Sequence, residues 1–124
     1  MDFNLTEEQT AIQDSLKRYL AKDYGFEHRR TLTKTELGHS AEAWATYAEL
    51  GLLALPFPES AGGLGGNAID TMLVCETLGA SLALEPFIPS VVLAGSLIHD
   101  IGSPAQRDTL LLLANGASGI VVAA

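Results

Sequence analysis

Residues 50–66 read LGLLALPFPESAGGLGG, an apolar run with prolines at positions 56 and 58 and two pairs of glycines near its end. Proline cannot donate the amide hydrogen bond that a helix interior needs, and glycine loses more conformational entropy in a helix than other residues do. The run therefore predicts a non-helical segment over residues 52–66. Gly51 fits the position that ends a preceding helix, because glycine readily adopts the left-handed conformation found there.

A helix is predicted on each side of this segment. On the N-terminal side, Ser40 can cap a helix that carries Trp44, Tyr47 and Ala48 on its inward face. On the C-terminal side, Asn67 can cap the helix that follows. The residues that share the predicted apolar side of this second helix are Ile69, Met72, Leu73, Glu76 and Ala80.

Further helices are predicted towards both ends of the chain. Thr6 and Gln9 have the spacing of a capping box, so a helix is expected over about residues 6–22. Residues 23–39 have no clear period and predict a long loop, or a loop with a short helical turn.

The C-terminal part predicts two more helices. Pro89 fits the first turn of a helix that runs to about Asp100. Ser103 and Gln106 repeat the capping-box spacing at the start of a last helix, which ends at residues 115–116.

These elements predict an all-α fold, an orthogonal or irregular bundle of about five helices. Residues 120–124, IVVAA, are rich in β-branched side chains and predict the start of a buried strand. A strand without a partner cannot satisfy its backbone hydrogen bonds, so this strand is expected to belong to a further domain. The predicted organisation is a helical domain over residues 1–118 and the start of a truncated β-domain over residues 119–124.

The composition argues against several classes of function. The formal net charge of −8 disfavours nucleic acid and anionic membrane surfaces as partners, since both attract basic proteins. No apolar run approaches the roughly 18 residues needed to span a bilayer, and no signal-peptide pattern opens the sequence. The one cysteine, Cys75, allows no intrachain disulfide. A soluble, cytoplasmic protein is therefore expected.

No catalytic or metal-binding group emerges from spacing alone. Cys75 is expected to be an inert thiol within a helix. The glycines of residues 62–66 lack the Lys-Ser/Thr pair of a phosphate loop and follow no strand, so a tight structural loop is expected. Glu76 and Glu85 are expected to make structural contacts, because a carboxylate among apolar residues needs a partner. The histidines that lack the spacing of a zinc site are His28, His39 and His99.

Four motifs, in order and spacing, resemble the acyl-CoA dehydrogenase family over the whole chain. The opening residues 1–9, MDFNLTEEQ, look like the usual start of the family. Residues 50–65 resemble its most recognisable N-terminal signature. Residues 75–79, CETLG, resemble its Glu-Glu-Leu-Gly helix end, with Thr77 in place of the second glutamate. Residues 102–106, GSPAQ, are similar to the start of its next helix.

The resemblance implies an enzyme of three parts: a helical N-terminal domain, a central β-domain and a C-terminal helical bundle, with FAD between the last two. It implies α,β-dehydrogenation of an acyl-CoA thioester, an electron-transferring flavoprotein as electron acceptor, and a homo- or hetero-oligomer. In such enzymes the catalytic base and the main flavin contacts lie outside the N-terminal domain. No catalytic or cofactor-binding residue is therefore assigned here, and these 124 residues alone are expected to be inactive and to bind FAD weakly.

The resemblance also places part of an acyl pocket in this chain, on the segment that joins the third and fourth helices and on the start of the fourth. Pro86 and Pro89 are expected to hold the backbone of this wall, and Glu85 to repel a dicarboxylic acyl tail if it faces the pocket. The alternative is that the whole segment packs against the β-domain. By position, the expected substrate-binding residues are Leu84, Glu85, Pro86, Phe87, Ile88, Val91 and Val92.

Residues 82–87, LALEPF, are similar to a sub-branch of small, often heteromeric subunits of bacterial enzymes that act on dicarboxylic or sterol-derived acyl-CoAs. Two other functions stay open. Flavin monooxygenases share the architecture and perform a different reaction. A non-catalytic helical binding or assembly subunit is the other alternative, although a strand at residues 120–124 counts against it.

Overall fold

The structure, a computed structural model, describes residues 3–116, and the regular structure within them is helical throughout. The predicted all-α class is therefore confirmed. None of the helices in this range is both long and apolar enough to cross a bilayer. The α-helices are α1 (Glu7–Asp23), α2 (Phe26–Leu32), α3 (Ala41–Glu49), α4 (Ala68–Ala80), α5 (Ser96–Ile101) and α6 (Pro104–Ala114).

Two other helical elements complete the described part of the chain. A 3₁₀ turn, Glu59–Ala61, interrupts the non-helical segment between α3 and α4. A π-helical segment, Ile88–Gly95, runs directly into α5, and together they form the predicted fourth helix. The predicted strand at residues 120–124 and the domain boundary after residue 118 lie outside the described residues.

For residues 23–39 the sequence predicts a long loop or a loop with a short helical turn. The second alternative is closer to the structure, in which Phe26–Leu32 forms the seven-residue helix α2. The only buried residue of α2 is Leu32. A single buried apolar side chain does not produce a helical period, so periodicity could not locate this helix within the segment.

Side-chain caps begin the helices where the sequence predicted them. The Gln9 amide donates to Thr6 Oγ1 at 3.1 Å, and the Thr6 amide donates to Gln9 Oε1 at 2.9 Å, which completes a capping box at α1. Asn67 and Ser103 begin α4 and α6 with complete capping boxes as well. Ser40 caps α3 through its side-chain oxygen. Each cap satisfies backbone amides that the first helical turn leaves unpaired.

One hydrophobic core unites α1, α3, α4, α6 and the non-helical residues 52–57. Trp44 and Tyr47 are buried, as predicted. Residues 52–57 contribute four buried side chains, which explains why a stretch that forms no helix is so apolar. Fully buried large side chains in this core are Leu16, Tyr47, Leu52, Leu53, Phe87, Leu110 and Leu113.

The buried face of α4 differs from the predicted one. Of the predicted inward residues only Leu73 is buried, and Glu76 lies in solvent, where a carboxylate needs no partner. The predicted apolar side and the expected structural contact of Glu76 are therefore wrong. Apolar residues occupy most of the circumference of α4, so periodicity could not identify the side that faces the core. The residues buried on this helix are Leu73, Val74, Thr77 and Leu78.

Apolar side chains remain exposed on the π-helical segment, α5 and α6. Leu93, Leu97 and Ile101 follow one another at intervals of four residues through the π-helical segment and α5, and each is about half exposed or more. Leu111 and Leu112 on α6 are also about half exposed. We refer to these five residues as the apolar stripe. Exposed apolar residues grouped in this way are typical of a docking surface.

Candidate functional site

The glycine-rich loop at residues 62–66 has no free backbone amide for a phosphate. Its five amides donate at 2.7–3.0 Å to carbonyl oxygens within residues 54–59. A side chain at Gly63 would overlap the Phe57 carbonyl, so the glycine permits the close approach of two backbone segments. The loop is structural, as predicted. Because a dinucleotide phosphate needs unpaired amides, FAD does not fit this loop.

The linker between α4 and the π-helical segment, residues 81–87, is held by polar contacts from earlier parts of the chain. Leu82 has a positive φ of 52°, which is strained for a residue with a branched side chain. Its carbonyl oxygen accepts a hydrogen bond from Arg29 Nε at 2.7 Å. The amide of Leu84 donates to the Tyr24 hydroxyl at 3.0 Å. The linker conformation therefore depends on residues more than 50 positions away in the chain.

Glu85 lies at the centre of these contacts and is only 7% exposed. Its Oε2 accepts from the Tyr24 hydroxyl and from the Ser40 amide, both at 2.9 Å. Its Oε1 accepts from the Tyr47 hydroxyl at 2.8 Å. The expected structural contacts of Glu85 are confirmed. Since three donors converge on the side chain, it acts as a hydrogen-bonded carboxylate whose cost of burial these bonds offset.

The Tyr24 hydroxyl is the donor in its bond to Glu85, and the second hydrogen bond of the same hydroxyl shows why. The Tyr24 oxygen accepts from the Leu84 amide, so its own proton is left to point at Glu85. The pKa of Tyr24 is raised to about 12, chiefly by burial, with the hydrogen bond to Glu85 adding to the effect of burial and the Leu84 amide opposing it. Burial and the charge of Glu85 raise the pKa of Tyr47 further still. Both phenols are therefore protonated donors at neutral pH.

A cavity of about 200 Å³ lies between the end of α4 and the linker. The lining contains three of the seven predicted substrate-binding residues, Glu85, Phe87 and Ile88. A larger cavity of about 500 Å³, between the start of α1 and residues 64–66, contains none of the seven. The α4 residues that line the smaller cavity, which the sequence did not assign to the acyl pocket, are Cys75, Leu78 and Gly79.

The seven predicted residues differ in what they can offer to a ligand. Ile88 is 51% exposed and Phe87 only 2%. Phe87 therefore supports the cavity wall from within the core, whereas Ile88 presents apolar surface outwards. Buried with Phe87 are Glu85 and Val91, and half-buried are Leu84, Pro86 and Val92. Their assignment to substrate binding stays a prediction.

The thiol that lines the cavity is not activated. Cys75 is half-buried, and burial raises its pKa, so the thiol is protonated at neutral pH. Protonated thiols are poor nucleophiles. Within residues 3–116, no three side chains of the metal-binding types come together in a metal-binding arrangement.

Known proteins that are similar to this chain carry consistent names. Residues 6–116 match the family model described as "Acyl-CoA dehydrogenase, N-terminal domain". The chain is 34% identical over 104 residues to acyl-CoA dehydrogenase FadE27 of Mycobacterium tuberculosis, which covers 84% of this chain and 28% of FadE27. The chain thus spans less than a third of the length of this relative.

Two solved structures have the same fold over nearly the whole chain. The ChsE4-ChsE5 complex from Mycobacterium tuberculosis matches with a TM-score of 0.87 and 30% identity, over 98% of this chain and 34% of that one. A variant of the Tcur3481-Tcur3483 steroid ACAD matches with a TM-score of 0.86 and 27% identity, over 93% of this chain and 32% of that one. In both, the matching part is about a third of the polypeptide.

Proposed function

The chain belongs to the acyl-CoA dehydrogenase family as an N-terminal domain, and we propose that it works within a complete FAD-dependent enzyme that dehydrogenates an acyl-CoA thioester between its α and β carbons. The observation that carries this proposal is the cavity beside the linker, in which Phe87 and Ile88 face the end of α4. Phe87 and Ile88 form one wall of the acyl pocket there, which we call the acyl wall. The catalytic base and the flavin belong to parts of the enzyme beyond this domain.

The apolar nature of the wall suits an acyl chain. Ile88 is the most exposed of the seven predicted residues, and Leu78 and Cys75 lie across the cavity from it on α4. Burying one methylene group stabilises a complex by about 0.8 kcal/mol, so a few contacts at this wall suffice to discriminate acyl groups. Glu85 also lines the cavity, and the neutral donors on its oxygens leave its charge in place, so it is expected to disfavour a dicarboxylic acyl tail there.

We propose sterol-derived acyl-CoAs as the substrate class, ahead of dicarboxylic ones. A steroid ACAD is among the similar structures, and the match covers 93% of this chain. The resemblance carried by residues 82–87 is compatible with this class and with the dicarboxylic one. An electron-transferring flavoprotein is the proposed electron acceptor.

The apolar stripe has a separate role in this proposal. Leu93, Leu97 and Ile101 lie along one line of the helix that carries the acyl wall at its start. Packing of this stripe against the remainder of the complete enzyme would bury its apolar surface and fix the wall relative to the flavin. Oligomer formation, with identical or different subunits, is proposed to occur in that complete enzyme.

The test uses the complete protein that contains this domain. Purified protein is expected to carry flavin, and addition of a sterol-derived acyl-CoA without oxygen is expected to reduce the flavin and yield the 2-enoyl thioester. A hydroxylated product that requires oxygen would instead establish a monooxygenase. Turnover that appears only after a second subunit is added would establish a non-catalytic subunit.

The acyl wall is tested with a matched pair of substitutions. Ile88→Ala removes an exposed side chain that lines the cavity, and Ile69→Ala removes an equally exposed isoleucine outside both the cavity and the apolar stripe. Ile88→Ala is expected to raise KM for acyl-CoA about tenfold, whereas Ile69→Ala leaves KM unchanged. Equal effects of the two substitutions on KM would remove Ile88 from the pocket.

A further inference from the structure

We propose that Glu85 is a positioning residue for the acyl pocket: its carboxyl group bonds donors inside the domain, and these bonds fix the cavity wall at Phe87 and Ile88. This inference rests on the proposed function of the cavity. It makes Glu85 a determinant of which acyl group is preferred, although none of the residues that bond its carboxyl group lines the cavity. It also predicts that changes to those partners alter which acyl group the enzyme prefers.

The bonds to Glu85 join the linker to three distant positions. Tyr24 ends α1 and lies 61 residues away, and Ser40 caps α3 and lies 45 residues away. Tyr47 lies within α3, 38 residues away. A carboxylate that accepts bonds from three fixed donors has one allowed position, and its backbone is held with it.

The backbone transmits this position directly to the wall. The amide of Phe87 donates to the carbonyl oxygen of Glu85 at 2.8 Å, in a turn of three residues. Pro86 lies within that turn and limits its backbone torsion. Movement of Glu85 therefore moves Phe87, and with it the neighbouring Ile88 at the cavity.

The strained conformation of Leu82 shows that the linker does not adopt its path by local preference. Its positive φ is held by the bond from Arg29 at one end of the linker, and Glu85 holds the other end. Backbone strain of this kind persists only where surrounding contacts impose it. Weakening the contacts of Glu85 is expected to let the linker relax away from α4 and to enlarge the cavity.

The first experiment measures this mobility on the 124-residue chain by amide hydrogen exchange. Glu85→Gln keeps the shape of the side chain, but its NH₂ group cannot accept from the donors that surround it. Exchange at the Leu84 and Phe87 amides is expected to be about tenfold faster, the factor that corresponds to about 1.4 kcal/mol. Tyr19→Phe is the control, since Tyr19 forms no hydrogen bond with Glu85. Unchanged exchange at both amides overturns the proposal.

The second experiment measures kcat/KM in the complete enzyme for a bulky and a short acyl-CoA. Glu85→Gln is expected to raise the ratio of the bulky to the short substrate about tenfold, because the enlarged cavity favours the bulkier group. Tyr47→Phe removes one of the three bonds and is expected to shift the ratio in the same direction by less, which keeps the test open if Glu85→Gln fails to fold. A purely structural role would lower kcat/KM for the bulky and the short substrate by the same factor. The unchanged ratio would overturn the proposal.

The two experiments separate this inference from the proposed function. If the wild-type enzyme oxidises no acyl-CoA, the proposed function fails, and the exchange rates at Leu84 and Phe87 still decide whether Glu85 holds the wall. If the enzyme is active and the substrate ratio does not respond to Glu85→Gln, the proposed function stands and the positioning role fails.

Discussion

Gly95 lies directly against the ring of Phe57, so closely that a Cβ atom at position 95 would overlap the ring carbon Cζ. The same Cβ would lie 3.3 Å from a methyl group of Leu113 on α6. The glycine thus allows the helix that begins at the acyl wall to pack against the core.

Gly95→Ala is expected to destabilise the domain by about 1–3 kcal/mol, because the added methyl group overpacks the core. Gly79→Ala is the matched control, since a Cβ there meets no atom within 4 Å. Within α4, Gly79→Ala is expected to stabilise the domain by about 0.5–1 kcal/mol, because alanine loses less conformational entropy than glycine when a helix forms. Urea unfolding measures both values, and a Gly95→Ala domain as stable as wild type would contradict the packing described here.

The three tyrosines predict an alkaline transition. Burial raises the pKa of Tyr19, Tyr24 and Tyr47 above the ordinary 10.0, to about 12 for Tyr24. Because the folded pKa exceeds the unfolded one, this contribution to stability is complete below about pH 10 and is lost as the pH rises through the folded values. Absorbance at 295 nm is expected to show little tyrosinate in the folded domain at pH 10. In urea, half of the tyrosine is expected to ionise near that pH. Equal titration curves in both states would refute the prediction.

Tyr47→Phe is expected to lower the free energy of unfolding by about 2 kcal/mol, since it leaves Oε1 of the buried Glu85 without a donor. Tyr19→Phe is expected to cost less than about 1 kcal/mol, because Tyr19 is only partly buried and does not bond this carboxylate. Thermal unfolding of the two variants side by side measures the difference. Equal losses would show that the bond from Tyr47 contributes nothing specific.

The 124-residue chain alone is expected to bind no FAD tightly and to show no dehydrogenase activity. The amides of the glycine-rich loop are all bonded to the chain's own carbonyls, so they offer nothing to a phosphate. Titration of FAD fluorescence with the isolated chain, with the complete protein as positive control, checks the binding. A yellow stoichiometric complex of the isolated chain would contradict this expectation.

Phe87→Ala in the complete enzyme is expected to shift the preference towards bulkier acyl groups, because loss of the ring enlarges the cavity. The substitution is also expected to cost about 3–5 kcal/mol of stability, as truncation of a buried aromatic ring does. Phe57→Ala is the matched control, since both rings are 2% exposed and only Phe87 lines the cavity. The same change in kcat/KM for every substrate would mean that Phe87 only supports the fold.

Helix starts were predictable because their determinants are local. Thr6 and Ser103 bond amides three residues along the chain, and Ser40 does the same. The glycine-rich loop was predictable for a similar reason, since its amides pair with carbonyls at most 11 residues away. Such contacts are determined by spacing, which is visible in the sequence.

The inward face of α4 and the environment of Glu85 were decided only by the tertiary structure. Apolar side chains lie around most of the circumference of α4, so no periodicity marks Val74 and Leu78 as buried and Met72 as exposed. The donors to Glu85 come from 38 to 61 residues away, and no spacing rule connects them. Local hydrogen bonds made the elements predictable, whereas packing over long sequence distances selected their faces and brought the donors of Glu85 together.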